Sequence, residues 1–119
     1  MRFLSAFVLL LLFGACRHDA LEQVEPTVVC DTQNVTYTLA IRPLVQTRCA
    51  LSDCHVPGGD GTGDFTTYPG LRAQVDNGHL LPAVQHSAGA IPMPPDGSML
   101  TECEIQAIVV WVNAGALEN

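Results

Sequence analysis

The chain has 119 residues, with five basic and twelve acidic side chains and a formal net charge of −7. This balance argues against a nucleic acid partner, because phosphate binding requires clustered Lys and Arg and an acidic surface repels a polyanion. The negative net charge favours a partner with a basic surface. Hydrophobic residues make up 48% of the chain, and part of them form one block at the N-terminus. That pattern is typical of one small domain that follows a targeting segment.

The first 15 residues have the pattern of a signal peptide. Arg2 is followed by a mainly apolar run from Phe3 to Phe13 and by small residues before Cys16. The run is too short for a lasting transmembrane helix, which needs about 20 apolar residues. The segment that ends at Cys16 resembles a bacterial lipobox, in which the cysteine becomes the lipidated N-terminus. We therefore expect a signal peptide at residues 1–15 and lipidation of Cys16. The alternative is ordinary secretion, in which Cys16 has no special role.

Lipidation of Cys16 would make the mature protein a periplasmic or cell-surface lipoprotein, held at a membrane by its lipid anchor. Residues 16–29 contain several acidic residues, one proline and few large apolar side chains. Such a composition predicts a flexible tether. Residues 30–119 then form the folded domain.

Hydrophobic spacing and capping residues predict about three short helices in this domain. The first covers 41–48, with a proline in its first turn. The second runs from about 68 to 76 and ends before an Asn-Gly pair. The last begins at a capping box at 101–104 and ends near Gly115.

The segments between these helices are rich in glycine and proline. Residues 56–63 contain four glycines and one proline, and residues 79–98 include the sequence IPMPP. Both segments are predicted to be loops. Three short helices with long loops make a poor core unless a large apolar group fills the centre of the domain.

One cysteine motif carries a specific chemical signal. Four residues separate Cys49 from Cys54, and His55 follows directly. A Cys-His pair with another cysteine upstream is the signature of covalent haem, although the usual spacing has two intervening residues. Ser52 and Asp53 suit an outward turn that accommodates the extra length.

In this motif and its surroundings the chain resembles small bacterial c-type cytochrome domains with a lengthened CxxxxCH attachment motif. The resemblance implies an all-α, cytochrome c-like fold around one haem c, with Cys49 and Cys54 as the attachment sites and His55 as an axial iron ligand. It extends over matching segments in one order: Cys30-Asp31-Thr32, Asn34-Val35-Thr36, Ile41-Arg42-Pro43-Leu44, Cys49 to Gly58, His86 to Pro94, and Leu100 to Ala116.

The resemblance also implies a methionine as the sixth iron ligand, in a proline-rich loop after the attachment site. Met93, which is flanked by prolines, fits this description. A His and Met pair raises the reduction potential relative to two histidines. Met99 and His86 are the rival ligands, and a hydrogen-bonded structural role is the other interpretation of His86. We accordingly expect a metal-binding protein whose iron is held by His55 and Met93.

The five cysteines can then be assigned without remainder. Cys16 takes the lipid and Cys49 with Cys54 take the haem, which leaves Cys30 and Cys103. In an exported protein such a remaining pair predicts a disulfide. Closing so long a loop contributes about 4 kcal/mol in the chain-entropy model.

These expectations together describe a membrane-anchored electron carrier with a basic redox partner. It is not an enzyme, because iron bound on both faces has no open position for a substrate; a peroxidase-like activity would need the distal ligand to be absent. One alternative is a cofactor-free exported binding or structural module with a disulfide between Cys49 and Cys54. Another is a zinc or copper site formed by Cys49, Cys54, His55 and either His79 or His86.

Overall fold

The computed structural model describes residues 28–119, so the expected signal peptide, Cys16 and most of the tether lie outside the described residues. Residues 28–119 are helical and contain no β-strand, which confirms the all-α prediction for this part of the chain. A five-residue π-helical turn is followed by four α-helices: Tyr37–Ile41 leads into α1 at Arg42–Arg48, then α2 at Tyr68–Asp76, α3 at Leu80–Val84 and α4 at Glu102–Asn113.

No helix within residues 28–119 is long and apolar enough to cross a membrane.

Side-chain caps explain where two of the helices begin. The hydroxyl of Thr67 accepts a hydrogen bond from the amide of Gly70 at the start of α2. At the start of α4, Thr101 accepts from the amide of Glu104, and the Glu104 carboxylate accepts from the Thr101 amide at 2.7 Å. Each pair satisfies amide groups that have no partner within the helix.

The short helix α3 lies within a segment that was predicted to be a loop, and this part of the prediction is wrong. Pro82 is the third residue of α3. The amides of a first helical turn have no intrahelical acceptor, so a proline there removes no hydrogen bond. Leu80 and Val84, four residues apart, are both buried. Burial of this single face therefore stabilises a helix that local composition does not favour.

The π-helical turn, α1, α2, α3 and α4 all contribute to one hydrophobic core. Trp111 of α4 is at its centre with 1% of its surface exposed, and its indole N–H donates to the carbonyl of Leu117 at 2.9 Å. This bond satisfies the polar group that burial of the indole would otherwise leave without a partner. The largest fully buried side chains are Trp111, Ile41, Leu71, Ile108 and Val45.

A disulfide joins Cys30 to Cys103, the pair that the sequence analysis left for one. Their Cα atoms are 5.2 Å apart, within the usual range of about 4.4–6.8 Å. The bond attaches the start of the domain to the first turn of α4. It restrains an N-terminal segment in which Val29 is 90% exposed and so contributes little packing.

Arg72 attaches α2 to the segment after α4. Its guanidinium donates to the carbonyls of Gly115 and Ala116 at 2.9 and 3.2 Å, and it pairs with Asp76 at 2.8 Å. The hydroxyl of Tyr68 donates to the same Ala116 carbonyl at 2.8 Å. Arg72 thus has a structural role at this junction.

Candidate functional site

A cavity of about 1070 Å³ opens on one side of the domain. Ligand pockets in proteins are typically about 300–1000 Å³, so this cavity has room for a large organic molecule. Its wall is formed by the end of α1, the 49–65 loop, α3 and the 88–96 loop. The apolar part of that wall includes Leu51, Phe65, Leu80, Val84, Ile91 and Leu100.

The cavity brings together the residues that the resemblance assigned to haem. Cys49, Cys54, His55 and Met93 all line it, although Met93 is far from the others in sequence. The two rival ligands are not part of this cavity wall: neither His86 nor Met99 lines the cavity in the described part of the chain.

His55 is held in a defined orientation by the loop that follows it. Its Nδ1 atom lies 3.0 Å from the carbonyl oxygen of Thr62. A carbonyl oxygen only accepts, so this hydrogen bond requires the proton on Nδ1 and leaves the lone pair on Nε2. Metal-bound histidines commonly have this arrangement, in which the second ring nitrogen donates to a backbone carbonyl.

The His55 ring is also packed closely on its surroundings. It stacks on Phe65 with ring centroids 4.0 Å apart and planes 3° from parallel. A Cβ atom at Gly61 would lie only 2.8–2.9 Å from three atoms of the imidazole. The backbone at Gly61 therefore approaches the ring as closely as the absence of a side chain allows.

Gly61, Thr62 and Phe65 are site residues that the sequence analysis did not identify. It interpreted the glycine-rich segment after His55 only as a loop. The dense glycines were an indication of close backbone approach, but nothing in their spacing showed which side chain the backbone approaches. Phe65 is brought to the ring by a backbone hydrogen bond from its amide to the His55 carbonyl at 2.9 Å.

Cys49 and Cys54 are both free thiols in the structure. The loop between them closes on itself, because the Cys54 amide donates to the Leu51 carbonyl at 3.0 Å and the His55 amide to the Cys49 carbonyl at 3.2 Å. Asp53 has a left-handed backbone with φ of 64°, a conformation that aspartate tolerates better than most residues. The lengthened motif thus forms a turn in which residues 51–53 are exposed.

Burial raises the pKa of the Cys49 thiol to about 11, despite the opposing effect of the nearby Arg48 guanidinium. A thiol in such surroundings stays protonated at neutral pH and is a weak nucleophile.

Met93 is fixed through both polar groups of its backbone. Its amide donates to the carbonyl of Ala83 at 3.0 Å. Its carbonyl oxygen lies 3.1 Å from Nε2 of His86. The proline-rich loop is therefore attached to the C-terminal end of α3 at the residue that faces the cavity.

The charged groups of the cavity wall are mainly acidic. Asp53, Asp60 and Asp96 line it and are exposed, and hydrogen bonds from Ser98 lower the pKa of Asp96. Arg48 is the one arginine in the lining.

The Arg48 side chain contacts two groups beside the cavity. It donates weakly to the Met99 carbonyl at 3.4 Å, and its Nε lies 3.5 Å from the Glu104 carboxylate. That Nε is buried without a hydrogen-bond partner in the described structure.

One prediction requires correction. No group of three or more His, Cys, Asp or Glu side chains within residues 28–119 is placed to bind a metal ion. The prediction of a metal-binding protein is therefore wrong for iron, or any other metal ion, that side chains of this part of the chain would hold by themselves. The assignment of His55 and Met93, or His86, as ligands of a haem iron stays a prediction. The zinc or copper alternative is wrong for the same reason, and His86 does not even share the cavity with Cys49 and Cys54. Such a site needs at least three converging protein ligands.

Comparison with known proteins found no matching family model, no similar curated protein and no similar solved structure.

Proposed function

We propose that this chain is an exported, lipid-anchored electron carrier of the c-type cytochrome class, with one haem c attached through Cys49 and Cys54. The observation that carries the proposal is that both cysteines, His55 and Met93 line one large cavity. A porphyrin itself supplies most of the iron's ligands, so it needs only one or two from the protein. The lack of a cluster of three or more protein ligands within residues 28–119 is compatible with such a group.

The cavity suits this cofactor in size and chemistry. A haem is a large, planar, mainly apolar molecule with two carboxylates. The cavity volume of about 1070 Å³ and its apolar wall match the ring. The positive charge of Arg48, which lines the cavity, matches an anionic edge.

The protein side chains have distinct roles in this proposal. His55 would bind iron through Nε2, because Thr62 holds the proton on Nδ1 and Phe65 with Gly61 fixes the ring. The Met93 thioether would be the second protein ligand. Haem supplies a one-electron iron couple when it is bound.

With both protein ligands engaged, no iron position remains for a substrate. The proposed role is therefore electron transfer and not catalysis. The acidic side chains around the cavity, Asp53, Asp60 and Asp96, favour a redox partner with a basic docking surface. The disulfide between Cys30 and Cys103 fits an oxidising compartment, as an exported lipoprotein would require.

The mass of the mature protein tests attachment directly. The full chain is produced in a bacterial host that has a c-type haem-attachment system. We expect a mass increase of one haem that persists after denaturation. Cys54→Ser should reduce attachment more than Cys49→Ser, because Cys54 is joined directly to the ligand His55. Ser52→Ala, an exposed change in the same loop, should leave attachment intact.

A cofactor-free exported binding or structural module is the second candidate. The Cys30–Cys103 disulfide favours it, because that bond stabilises a small domain without any cofactor. The mass measurement separates the two candidates. An unmodified polypeptide, with Cys49 and Cys54 oxidised to each other, would support the module and contradict the cytochrome.

A further inference from the structure

We propose that His86 is a positioning residue that fixes Met93 for its role at the cavity, and not an iron ligand itself. The inference rests on the proposed function. It extends that function by assigning a role to a side chain that lies outside the cavity wall.

The prolines of the 88–96 loop make the hydrogen bonds of the Met93 backbone important for holding this loop in place. Pro92, Pro94 and Pro95 surround Met93 and have no backbone N–H. Met93 therefore provides the only amide donor of residues 92–95. The loop also gains little from packing here, since Ile91 is 74% exposed.

Two hydrogen bonds compensate for this lack of donors. The Met93 amide donates to Ala83, and the Met93 carbonyl accepts from the His86 ring at 3.1 Å. The first bond alone would allow the peptide plane after Met93 to rotate. The second bond fixes that plane. Together the two bonds fix the backbone position from which the Met93 side chain extends. A ligand held in this way loses less conformational entropy on binding.

The position of His86 argues against it as a ligand, because its side chain does not line the cavity in the described structure. A carbonyl oxygen only accepts a hydrogen bond, so Nε2 of His86 carries the proton in its bond to Met93. The backbone of His86 has φ of 50°, where asparagine is also well tolerated. Substitution by asparagine therefore removes the ring and its Nε2 donor without adding backbone strain.

The test compares three variants of the haem-loaded full chain. His86→Asn shortens the side chain and should lose the bond to Met93. His86→Gln retains an N–H donor at about the reach of Nε2 and should restore it. Gln85→Asn is the matched control, because Gln85 is the exposed neighbour of His86, does not line the cavity and makes no side-chain hydrogen bond in the described structure.

The readouts are the reduction potential, the affinity of the ferric protein for cyanide, and the exchange rate of the Met93 amide. We expect His86→Asn to lower the potential, bind cyanide at least tenfold more tightly and exchange this amide at least tenfold faster. His86→Gln and Gln85→Asn should stay close to the wild type. Circular dichroism checks that each variant is folded, and if His86→Asn does not fold, a His86→Gly variant takes its place.

Three results would overturn the inference. His86→Asn with wild-type potential, cyanide affinity and amide exchange would show that His86 does not position Met93. A six-coordinate spectrum that survives Met93→Ala but is lost in His86→Asn would make His86 the ligand. Wild-type protein without haem would overturn the proposed function, and the positioning role with it. The first two results leave the attachment of haem intact, so they are distinguishable from the third.

Discussion

The imidazole of His55 lies parallel to the ring of Phe65, with 4.0 Å between their centroids. Phe65 is itself buried, with 7% of its surface exposed, so the histidine rests on a side chain that has little freedom to move. The Gly61 backbone also contacts the imidazole, and the Thr62 carbonyl fixes its tautomer. The orientation of His55 is thus set by the protein before any cofactor binds.

We expect Gly61→Ala to disturb the proposed haem site more than its general effect on stability would suggest. The added Cβ would come within 2.8 Å of the His55 ring, so the imidazole must shift. Haem retention in the mature protein, measured by absorbance per polypeptide, should fall at least severalfold. Gly97→Ala is the control, because its Cβ meets nothing within 4 Å and its cost is confined to the strained φ of 85°. Equal haem retention in both variants would argue against an oriented His55.

Removal of the disulfide should destabilise the domain without removing the haem. A native disulfide in a small exported domain contributes about 2–5 kcal/mol, and we expect a loss in that range for the double variant Cys30→Ala, Cys103→Ala. Urea unfolding of the mature protein measures it. The proposed haem attachment motif does not include these cysteines, so the absorption spectrum should be unchanged. A variant as stable as the wild type would contradict the structural role of this bond.

The buried Cys49 thiol should make the haem-free protein sensitive to alkaline pH. Its pKa is raised by burial from an ordinary value of 9.0 to about 11. Between these values the folded state retains a proton that the unfolded state releases, so the free energy of unfolding should fall as the pH rises from about 9 to about 11. Urea unfolding at several pH values checks this, with Cys49→Ser as the control in which this part of the fall is absent. The same slope in both proteins would contradict the burial of Cys49.

Met93→Ala should remove one iron ligand from the loaded protein. Because a thioether favours ferrous over ferric iron, its loss should lower the reduction potential and let external ligands bind. Potentiometry and cyanide titration measure the two effects. Met99→Ala should leave both unchanged, since Met99 does not line the cavity and is half exposed. If Met99→Ala and not Met93→Ala lowered the potential and allowed cyanide to bind, the ligand would be Met99.

Features encoded by local sequence were predictable. The structure starts and ends α2 at the residues expected from Thr67 and the Asn-Gly pair, and it forms the capping box expected at Thr101. The number of helices was underestimated, because α3 depends on burial of Leu80 and Val84 in the core, and proline-rich local composition gives no sign of that burial.

The candidate site also has a part that could be predicted from the sequence and a part that could not. Cys49, Cys54, His55 and Met93 could be named from motif and resemblance, and all four line the cavity. The groups that orient them were not predictable. Phe65 reaches His55, and His86 reaches Met93, only after the intervening loops have folded back. Such contacts depend on tertiary geometry, which has no period or spacing in the sequence.

The haem content of the purified mature protein tests the central claim most directly. The full chain is produced with a haem-attachment system, reduced in alkaline pyridine, and its haemochrome spectrum is compared with the polypeptide concentration. The account predicts the spectrum of covalently attached haem at a ratio of one per chain, which withstands acid-acetone extraction. A colourless protein, or haem that is fully extracted, would contradict it.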